Sequence, residues 1–399
     1  MKVIIVVSII ILLIIWLSVD FHFGRKAHRA AVKKISFPER QSDFELFTNG
    51  KALMKQLFHD LQKAKHFIHI QFYIVKNDKI SMQFSNLLKK KAEQGIEVRL
   101  LLDRVGSSSF PINIRDELKK SGVKFFYSSQ PKMPFLFYSL QRRNHRKICI
   151  IDGEIGYIGG FNIGKEYIGG DQKLSPWHDY HLRLKGEGVQ DLEGVFLEDW
   201  RRSSGEELLY KEVYIKPHPQ GQSRHRFLLS DGAFLEEEYL ALFKSAKNMI
   251  TIASPYFIPS DKLLQQLLSC LQRGVSVRII VPFNSDHFLI KEASYRSFRM
   301  LIPKGAQIFQ YEKGFFHGKY ILIDQTIADI GTANFDQRSL FLNSEINCYI
   351  YDNHFIQMML KEVHNDIENS QLLSLSDLED LGLWNHLKEW TAARLSYFL

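Results

Sequence analysis

The sequence predicts an α/β protein with two pseudo-symmetric domains, each with a mostly parallel sheet, preceded by one apolar amino-terminal helix. Strand-like and helix-like segments alternate with short connections along most of the chain. Their order repeats, so residues 40–203 and 226–399 are interpreted as two related domains joined by a linker at 204–225. An uncharged stretch at residues 3–19 comes before both.

The amino-terminal stretch at 3–19 is dominated by Ile, Val and Leu, and its length is at the short end for a membrane-spanning helix. Only Lys2 precedes it, whereas five basic residues follow by position 34. The positive-inside bias therefore predicts a retained single-pass anchor in the cell membrane, with the rest of the chain in the cytoplasm. A cleaved signal peptide is the alternative, but the basic flank lies on the wrong side for one.

Both domains begin with the same series of segments. A helix-like segment leads to a strand-like run, and a second helix follows that ends at Gly95 in one copy and Gly274 in the other. The next strands, 96–102 and 275–281, are continuous apolar runs of the kind buried on both faces. The carboxy-terminal segment has a helical pattern and contains Trp384, Trp390 and Arg394. It could pack on the core or touch the membrane, and we expect it to pack on the core.

A three-residue motif occurs once in each domain with identical spacing. The two copies are His145, Lys147 and Asp152, and His317, Lys319 and Asp324. Ten residues beyond each aspartate, a glycine-containing stretch ends in an asparagine, Asn162 or Asn334. Two chance copies of so long a pattern are very improbable, so the motif indicates a function.

The repeated residue types suit a phosphodiester. Strand alternation puts the His and Lys of each copy on the same face, and the glycine turns return Asn162 and Asn334 towards them. Ammonium and amide groups stabilise charge on phosphate oxygens, so both asparagines are predicted to bind phosphate. One imidazole then attacks phosphorus, and the other transfers protons to and from the alcohols.

The carboxylates of the pattern receive different roles. Asp179 and Glu345 occupy matched positions on later strands and are predicted to orient the two imidazoles. Asp152 and Asp324 are grouped with the catalytic motif. They nevertheless lie five residues beyond each lysine, roughly 16 Å along an extended strand, so we expect them to hold the following turn. No acidic cluster suited to a divalent ion is evident, and we expect neither a metal nor another cofactor.

Composition indicates the kind of partner that the protein binds and the redox state of its compartment. The formal charge of +8 suggests an anionic partner, such as phospholipid head groups or nucleic acid. Cys149, Cys270 and Cys348 are odd in number and lack paired spacing. They indicate buried free thiols in a reducing compartment and exclude a disulfide framework.

The doubled motif resembles the HKD signature of the phospholipase D superfamily. Residues 144–164, 177–183 and 331–339 are similar to bacterial cardiolipin synthases of that type, and the resemblance covers residues 40–399. It implies that two phosphatidylglycerol molecules condense to cardiolipin and glycerol through a phosphatidyl-histidine. His145 would be the nucleophile and His317 the acid/base. The single anchor is similar to that of the shorter, minor synthases of Gram-positive bacteria.

Other functions use the same residues. A hydrolytic phospholipase D differs only in taking water as acceptor. A nuclease of the superfamily fits the charge, but the anchor argues against it, so we expect phosphatidylglycerol and the bilayer as partners and no nucleic acid. A non-enzymatic scaffold would be expected to lack part of the motif. Oligomeric state and acyl-chain preference stay open.

The first domain has an insertion ahead of its motif. Gly122 to His145 is a longer interval than the matching Gly305 to His317. The added residues 131–140 are apolar and aromatic and precede two arginines. They are interpreted either as a lipid-docking loop or as a cover over the domain core.

Overall fold

The computed structural model describes residues 2–209, 211–215, 218–287, 289–379 and 383–397. The helices are α1 Lys2–Ala31, α2 Gly50–Lys63, α3 Lys79–Glu93, α4 Ile112–Lys120, α5 Leu136–Gln141, α6 Gly188–Ser204, α7 Leu235–Ser245, α8 Asp261–Gln272, α9 Ile290–Leu301, α10 Gln337–Phe341, α11 Asn353–Glu368, α12 Ser376–Glu379 and α13 Leu383–Leu395. The strands are β1 Arg40–Asn49, β2 Phe67–Phe72, β3 Glu97–Asp103, β4 Lys124–Ser128, β5 Ile148–Ile151, β6 Ile155–Gly159, β7 Trp177–Gly186, β8 Ser223–Asp231, β9 Met249–Ala253, β10 Ser276–Pro282, β11 Gln307–Tyr311, β12 Phe315–Phe316, β13 Tyr320–Ile323, β14 Ile327–Gly331, β15 Ser344–Ile350 and β16 Ser370–Leu372.

One continuous sheet runs through both halves of the molecule. Its order is β16-β11-β10-β9-β13-β14-β15-β8-β1-β7-β6-β5-β2-β3-β4, and β12 pairs with β7 beside this path. The first half runs from β1 to α6 and the second from β8 onward. They join at the antiparallel pair β1–β8, with Arg40 opposite His225. The predicted repeat is present, but its two sheets are fused.

The sheet is mixed rather than mostly parallel, which corrects the prediction. The outer strands β2, β3 and β4 pair in parallel, as do β9, β10 and β11. The inner pairs β5–β6 and β13–β14 are antiparallel. Only three residues connect each inner pair, and so short a connection joins antiparallel strands. These hairpins carry the repeated motif into the middle of the sheet.

Within the described residues there are three apolar clusters: one in the second half, one in the first half that also includes Phe315, and a third that draws on both halves. Trp200 and Ile350, from opposite halves, belong to the shared cluster. The three cysteines are free and buried, as predicted. Burial of apolar surface across the junction favours one rigid arrangement of the two halves.

The anchor helix α1 extends well beyond the predicted 3–19 stretch. An 18-residue window within it has a mean hydropathy of 3.0, and its apolar residues up to Val19 are exposed. Past that point it packs on α5. Asp20 Oδ1 accepts the Tyr138 N–H at 2.8 Å, and a β-carbon on Gly24 would lie 2.6 Å from Tyr138 Cβ. The inserted 131–140 segment therefore packs against the anchor helix.

Candidate active site

The structure brings each motif histidine onto a strand of the other half. The His145 N–H donates to the Ser344 carbonyl at 2.9 Å, and the His317 N–H donates to the His178 carbonyl at 2.7 Å. Ser344 directly precedes Glu345, and His178 directly precedes Asp179. The halves therefore exchange the segments that carry their histidines, and each imidazole meets the other half's acid.

Both imidazoles bind these acids through Nδ1. His145 Nδ1 lies 3.0 and 2.9 Å from the two carboxylate oxygens of Glu345. His317 Nδ1 lies 2.5 Å from Asp179 Oδ2. The two histidines are only 8% and 7% exposed. Engaging Nδ1 fixes the ring and leaves Nε2 of each imidazole for chemistry. The structure thus unites both predicted acid positions with the motif histidines.

The two lysines make different contacts. Lys147 Nζ donates to the His145 carbonyl at 2.7 Å. Lys319 Nζ lies 2.7 Å from His317 Nδ1 and 3.4 Å from Asp179 Oδ2. The second histidine therefore shares its carboxylate with a cation.

The motif residues of the two halves influence one another's pKa values. Burial lowers the pKa of Lys147 to about 7, and the positive charge of Lys319 contributes to that shift. Burial likewise lowers the pKa of His145, with Lys319 again contributing. His317 is lowered to a pKa of about 4, first by burial and then by Lys319. A cation of the second half thus acts on the motif residues of both halves.

The two acids stay ionised despite their burial. Burial raises the pKa of Asp179, but Lys319 and His317 more than offset it and bring the pKa to about 2. Burial also opposes ionisation of Glu345, yet His145 and Lys147 lower its pKa below the ordinary value. The cluster is near charge balance when both lysines are protonated, and it becomes net negative once Lys147, whose pKa is about 7, loses its proton.

Both predicted phosphate-binding asparagines are already bound to protein groups. Asn162 Oδ1 accepts the Ile74 N–H at 3.1 Å, and its amide donates to the Tyr167 hydroxyl at 3.2 Å. The Asn334 amide donates to Asp336 at 3.1 Å. These contacts fix the loops after β6 and β14. Each NH2 group has a second N–H, so phosphate binding by the pair stays a prediction.

Asp152 and Asp324 do not join the imidazoles, which corrects their grouping with the catalytic residues. The two oxygens of Asp152 accept the N–H groups of residues 65, 66 and 67 at 2.7–2.9 Å. Those of Asp324 accept the N–H groups of residues 247, 248 and 249 at 2.7–2.8 Å. Each aspartate ties its hairpin to the start of a neighbouring strand, β2 or β9, as its distance along the chain predicts.

Sequence reasoning missed the aromatic walls of the cluster. The Tyr73 ring lies 4.8 Å from the His145 ring. Tyr256 lies 6.3 Å from His317, and Trp177 lies 4.7 Å from it. The first strand-like runs of the two domains are residues 67–73 and 250–256, and they end in Tyr73 and Tyr256. The equivalence of these tyrosines in the repeat was therefore a usable signal.

Comparison with known families agrees with this geometry. The sequence model described as the cardiolipin synthase, PLD-like domain matches residues 57–200 and 239–367. The chain belongs to the cardiolipin synthase family of phospholipase D-like proteins. Members of this family are phosphatidyltransferases that act on membrane phospholipid, and the apolar α1 suits that setting.

Individual relatives and structures agree with the family. The chain is 42% identical to the minor cardiolipin synthase ClsB of Bacillus subtilis (strain 168), over 100% of both chains. It is 36% identical to the cardiolipin synthase of Alkalihalophilus pseudofirmus, over 94% of this chain and 75% of that protein. The crystal structure of phosphatidylserine synthase from Haemophilus influenzae covers 94% of this chain and 100% of its own, with a TM-score of 0.71 and 14% identity. That likeness establishes a shared fold.

Proposed function

We propose that this protein is a cardiolipin synthase that transfers a phosphatidyl group from one phosphatidylglycerol to a second and releases glycerol. The observation that carries the proposal is the crosswise pairing of two buried imidazoles with two ionised carboxylates. The family relationship supplies the lipid class, and the exchange of segments supplies two histidines for one phosphorus.

The reaction has two half-steps. In the first, His145 Nε2 attacks the phosphorus of the donor, and the bond from phosphorus to the glycerol oxygen breaks as His317 protonates that oxygen. In the second, His317 removes the proton from a glycerol hydroxyl of the acceptor lipid. The acceptor oxygen attacks phosphorus, the phosphorus–nitrogen bond breaks, and His145 is restored.

The surroundings of Glu345 support His145 as the nucleophile. Thr332 Oγ1 and Ser339 Oγ donate to the Glu345 carboxylate at 2.6 and 2.8 Å, so neutral donors hold it beside the imidazole. A carboxylate at Nδ1 favours the tautomer whose Nε2 carries the lone pair. The ammonium of Lys319 lies beside His317 instead, and its charge helps to lower the pKa of that imidazole.

Substrate binding is proposed to complete the charge pattern. A phosphodiester anion between Lys147 and Lys319 favours the cationic form of both lysines. The same anion raises the pKa of His317 from its value of about 4 in the free protein, which readies this imidazole to act as an acid. Asn162 and Asn334 are proposed to donate their second amide N–H groups to phosphate oxygens.

We further propose that the two halves lie on the cytoplasmic side of the membrane. Basic residues cluster after the apolar part of α1, and that asymmetry supports this orientation. Phosphatidylglycerol is proposed as both donor and acceptor, with no nucleic acid partner.

The deciding experiment uses purified full-length protein in vesicles of phosphatidylglycerol labelled in its free glycerol group. The proposal expects labelled glycerol and cardiolipin in equal amounts. Phosphatidic acid without cardiolipin would identify a hydrolytic phospholipase instead. In a second experiment the phosphatidylglycerol is labelled at phosphorus and the protein is denatured without acid; label should then stay on the protein through a bond that is stable in base, labile in acid and absent from the His145→Ala variant.

A further inference from the structure

The last helix, α13, is apolar on two sides. Its inner side packs on α9: Ala392 is fully buried, and Glu389 binds Arg299 at 2.6 Å. On the outer side, Leu387 is 52% and Trp390 56% exposed. Packing on the protein therefore accounts for one side of α13, as the sequence predicts, and leaves the other unexplained. The side chain of Trp384 lies outside the described part of the chain.

The exposed residues form a compact stripe. At 3.6 residues per turn, Leu387, Trp390 and Arg394 fall within an arc of about 60°. The Arg394 guanidinium lies over the Trp390 ring, 3.5 Å from its centre. An aromatic ring with a cation stacked on its face combines the two kinds of side chain that proteins place at the boundary between lipid and water.

The chain just beyond α13 meets α1 immediately after the exposed apolar stretch that ends at Val19. Tyr397 lies 6.2 Å from Phe21, and the Arg25 guanidinium lies 4.8 Å from the Tyr397 ring. Phe21 comes two residues after Val19, about 3 Å along the helix. That contact therefore puts the end of α13 at the level of the head groups.

The inserted segment reaches the same level from the first half. Phe137 lies 6.3 Å from Phe21, and Met133 beside it is 77% exposed. Phe21 of α1 is thus in contact with both α5 and the chain that follows α13.

We propose that the outer side of α13 rests in the head-group layer of the bilayer that holds α1. Together with the 131–140 segment it forms a collar, defined as these two elements around residues 20–28 of α1. Leu387 and Trp390 enter the interfacial layer, and Arg394 pairs with lipid phosphate, a contact that anionic phospholipid favours.

The collar has a consequence for the reaction site. Asp20 of the anchor accepts a backbone N–H from the first turn of α5, and α5 ends four residues before His145. A bilayer contact on both sides of α1 limits its tilt and holds the imidazole cluster at one height above the lipid.

The test places a fluorescent label at single sites in the full-length protein. Leu387→Cys and Trp390→Cys variants carry an environment-sensitive dye, in nanodiscs that hold phosphatidylglycerol and one protein copy each. The three native cysteines are buried, so we expect little dye to attach to them. Any such background labelling is measured on the unsubstituted protein. Val213→Cys is the matched control, because Val213 is 49% exposed. Its neighbour Tyr214 hydrogen-bonds to Glu97, the first residue of β3, whereas Asp103 is the last residue of that strand.

The proposal expects blue-shifted emission at 387 and 390, with at least twofold quenching when the lipids carry a nitroxide near the head group, and neither effect at 213. Emission at 387 and 390 that matches position 213 would overturn it. A blue shift without nitroxide quenching would also overturn it, because it would reveal a protein contact. Cardiolipin synthesis does not enter this readout, so the collar and the proposed activity fail separately.

Discussion

The two halves of the molecule share one backbone plan and differ in the chemistry around their acids. Each gives its histidine to the other half and receives one in return. Glu345 is held by neutral hydroxyl donors from Thr332 and Ser339, whereas Asp179 lies beside the ammonium of Lys319. Duplication thus accounts for the geometry of the pair, and a few side-chain differences give the two imidazoles different electrostatic surroundings.

One pair of matched positions shows how the halves diverged. Gly160 in the first half corresponds to Thr332 in the second. A β-carbon on Gly160 would lie 2.0 Å from Asp179 Oδ1, so the short acid requires glycine there. The longer Glu345 accommodates a β-carbon at Thr332 and gains its hydroxyl as a donor. The acid and its neighbouring residue therefore differ together.

Removing each histidine in turn should give the largest effects. We expect His145→Ala and His317→Ala each to lower phosphatidylglycerol turnover by about 10³-fold or more. The first variant loses the nucleophile, and the second loses the general acid and base. A lipid with a p-nitrophenyl leaving group separates the roles because it departs without a proton. On that substrate the first half-step of His317→Ala should recover most of its loss, although the second half-step still lacks its base, and His145→Ala should recover none.

The initial burst of p-nitrophenol, compared with glycerol release from phosphatidylglycerol, checks this assignment directly. The reverse pattern, with recovery by His145→Ala, would exchange the two roles between the halves. Circular dichroism on both variants controls for folding, since both side chains are buried.

Perturbing the two acid environments should come next in size. We expect Gly160→Ala to displace Asp179 and lower kcat by about 10²-fold, the scale seen when a partner that orients a functional histidine is lost. Thr332→Ala removes one donor to Glu345 and should cost only about tenfold, in keeping with one lost hydrogen bond to a charged group.

Gly194→Ala is the matched control for the glycine substitution. A β-carbon there meets nothing within 4 Å, and Gly194 lies inside α6, where alanine is the better helix former. Activity should be unchanged. Equal losses at positions 160 and 332 would contradict the proposed difference between the halves.

Raising the pH should weaken substrate binding, because Lys147 in the first half of the molecule loses its charge. The pKa of Lys147 is lowered to about 7, chiefly by burial, and the neutral amine formed above that value binds phosphate poorly. We expect kcat/KM to fall as the pH rises through about 7, by up to about tenfold per unit. The loss should lie in KM more than in kcat, because a bound phosphodiester keeps the lysine charged.

Steady-state rates on mixed micelles between pH 6 and 9 measure this slope, with thermal unfolding at each pH as the control for integrity. A flat kcat/KM across that range would show that Lys147 stays charged in the free protein.

The repeat made much of this site predictable. Matched spacing in the sequence placed His145 with His317 and identified Asp179 and Glu345, because duplicated strands bring equivalent residues to equivalent places. The crosswise pairing was not predictable, since it depends on β1 joining β8 and on segments crossing between halves. The antiparallel hairpins were missed because continuous apolar runs have the same pattern whichever direction their neighbours take.

The smallest effect on activity is expected where the motif is structural in both halves. Asp152 and Asp324 each accept three backbone N–H groups and adopt left-handed backbone angles, with φ of 56° and 50°. Asparagine tolerates that conformation, so Asp152→Asn and Asp324→Asn remove charge and one acceptor without added strain.

Each substitution should lower the free energy of unfolding by about 1–2 kcal/mol and change kcat less than twofold. Although burial raises the pKa of Asp324, backbone N–H groups from Met249, Lys247 and Asn248 bring it below the ordinary value. Its stabilising contribution is therefore present above the unfolded-state pKa of about 3.9 and is lost as the pH falls. Denaturant unfolding at neutral and acidic pH tests this, because the deficit of Asp324→Asn should shrink in acid. A large loss of kcat in a fully folded variant would return these aspartates to the catalytic cluster.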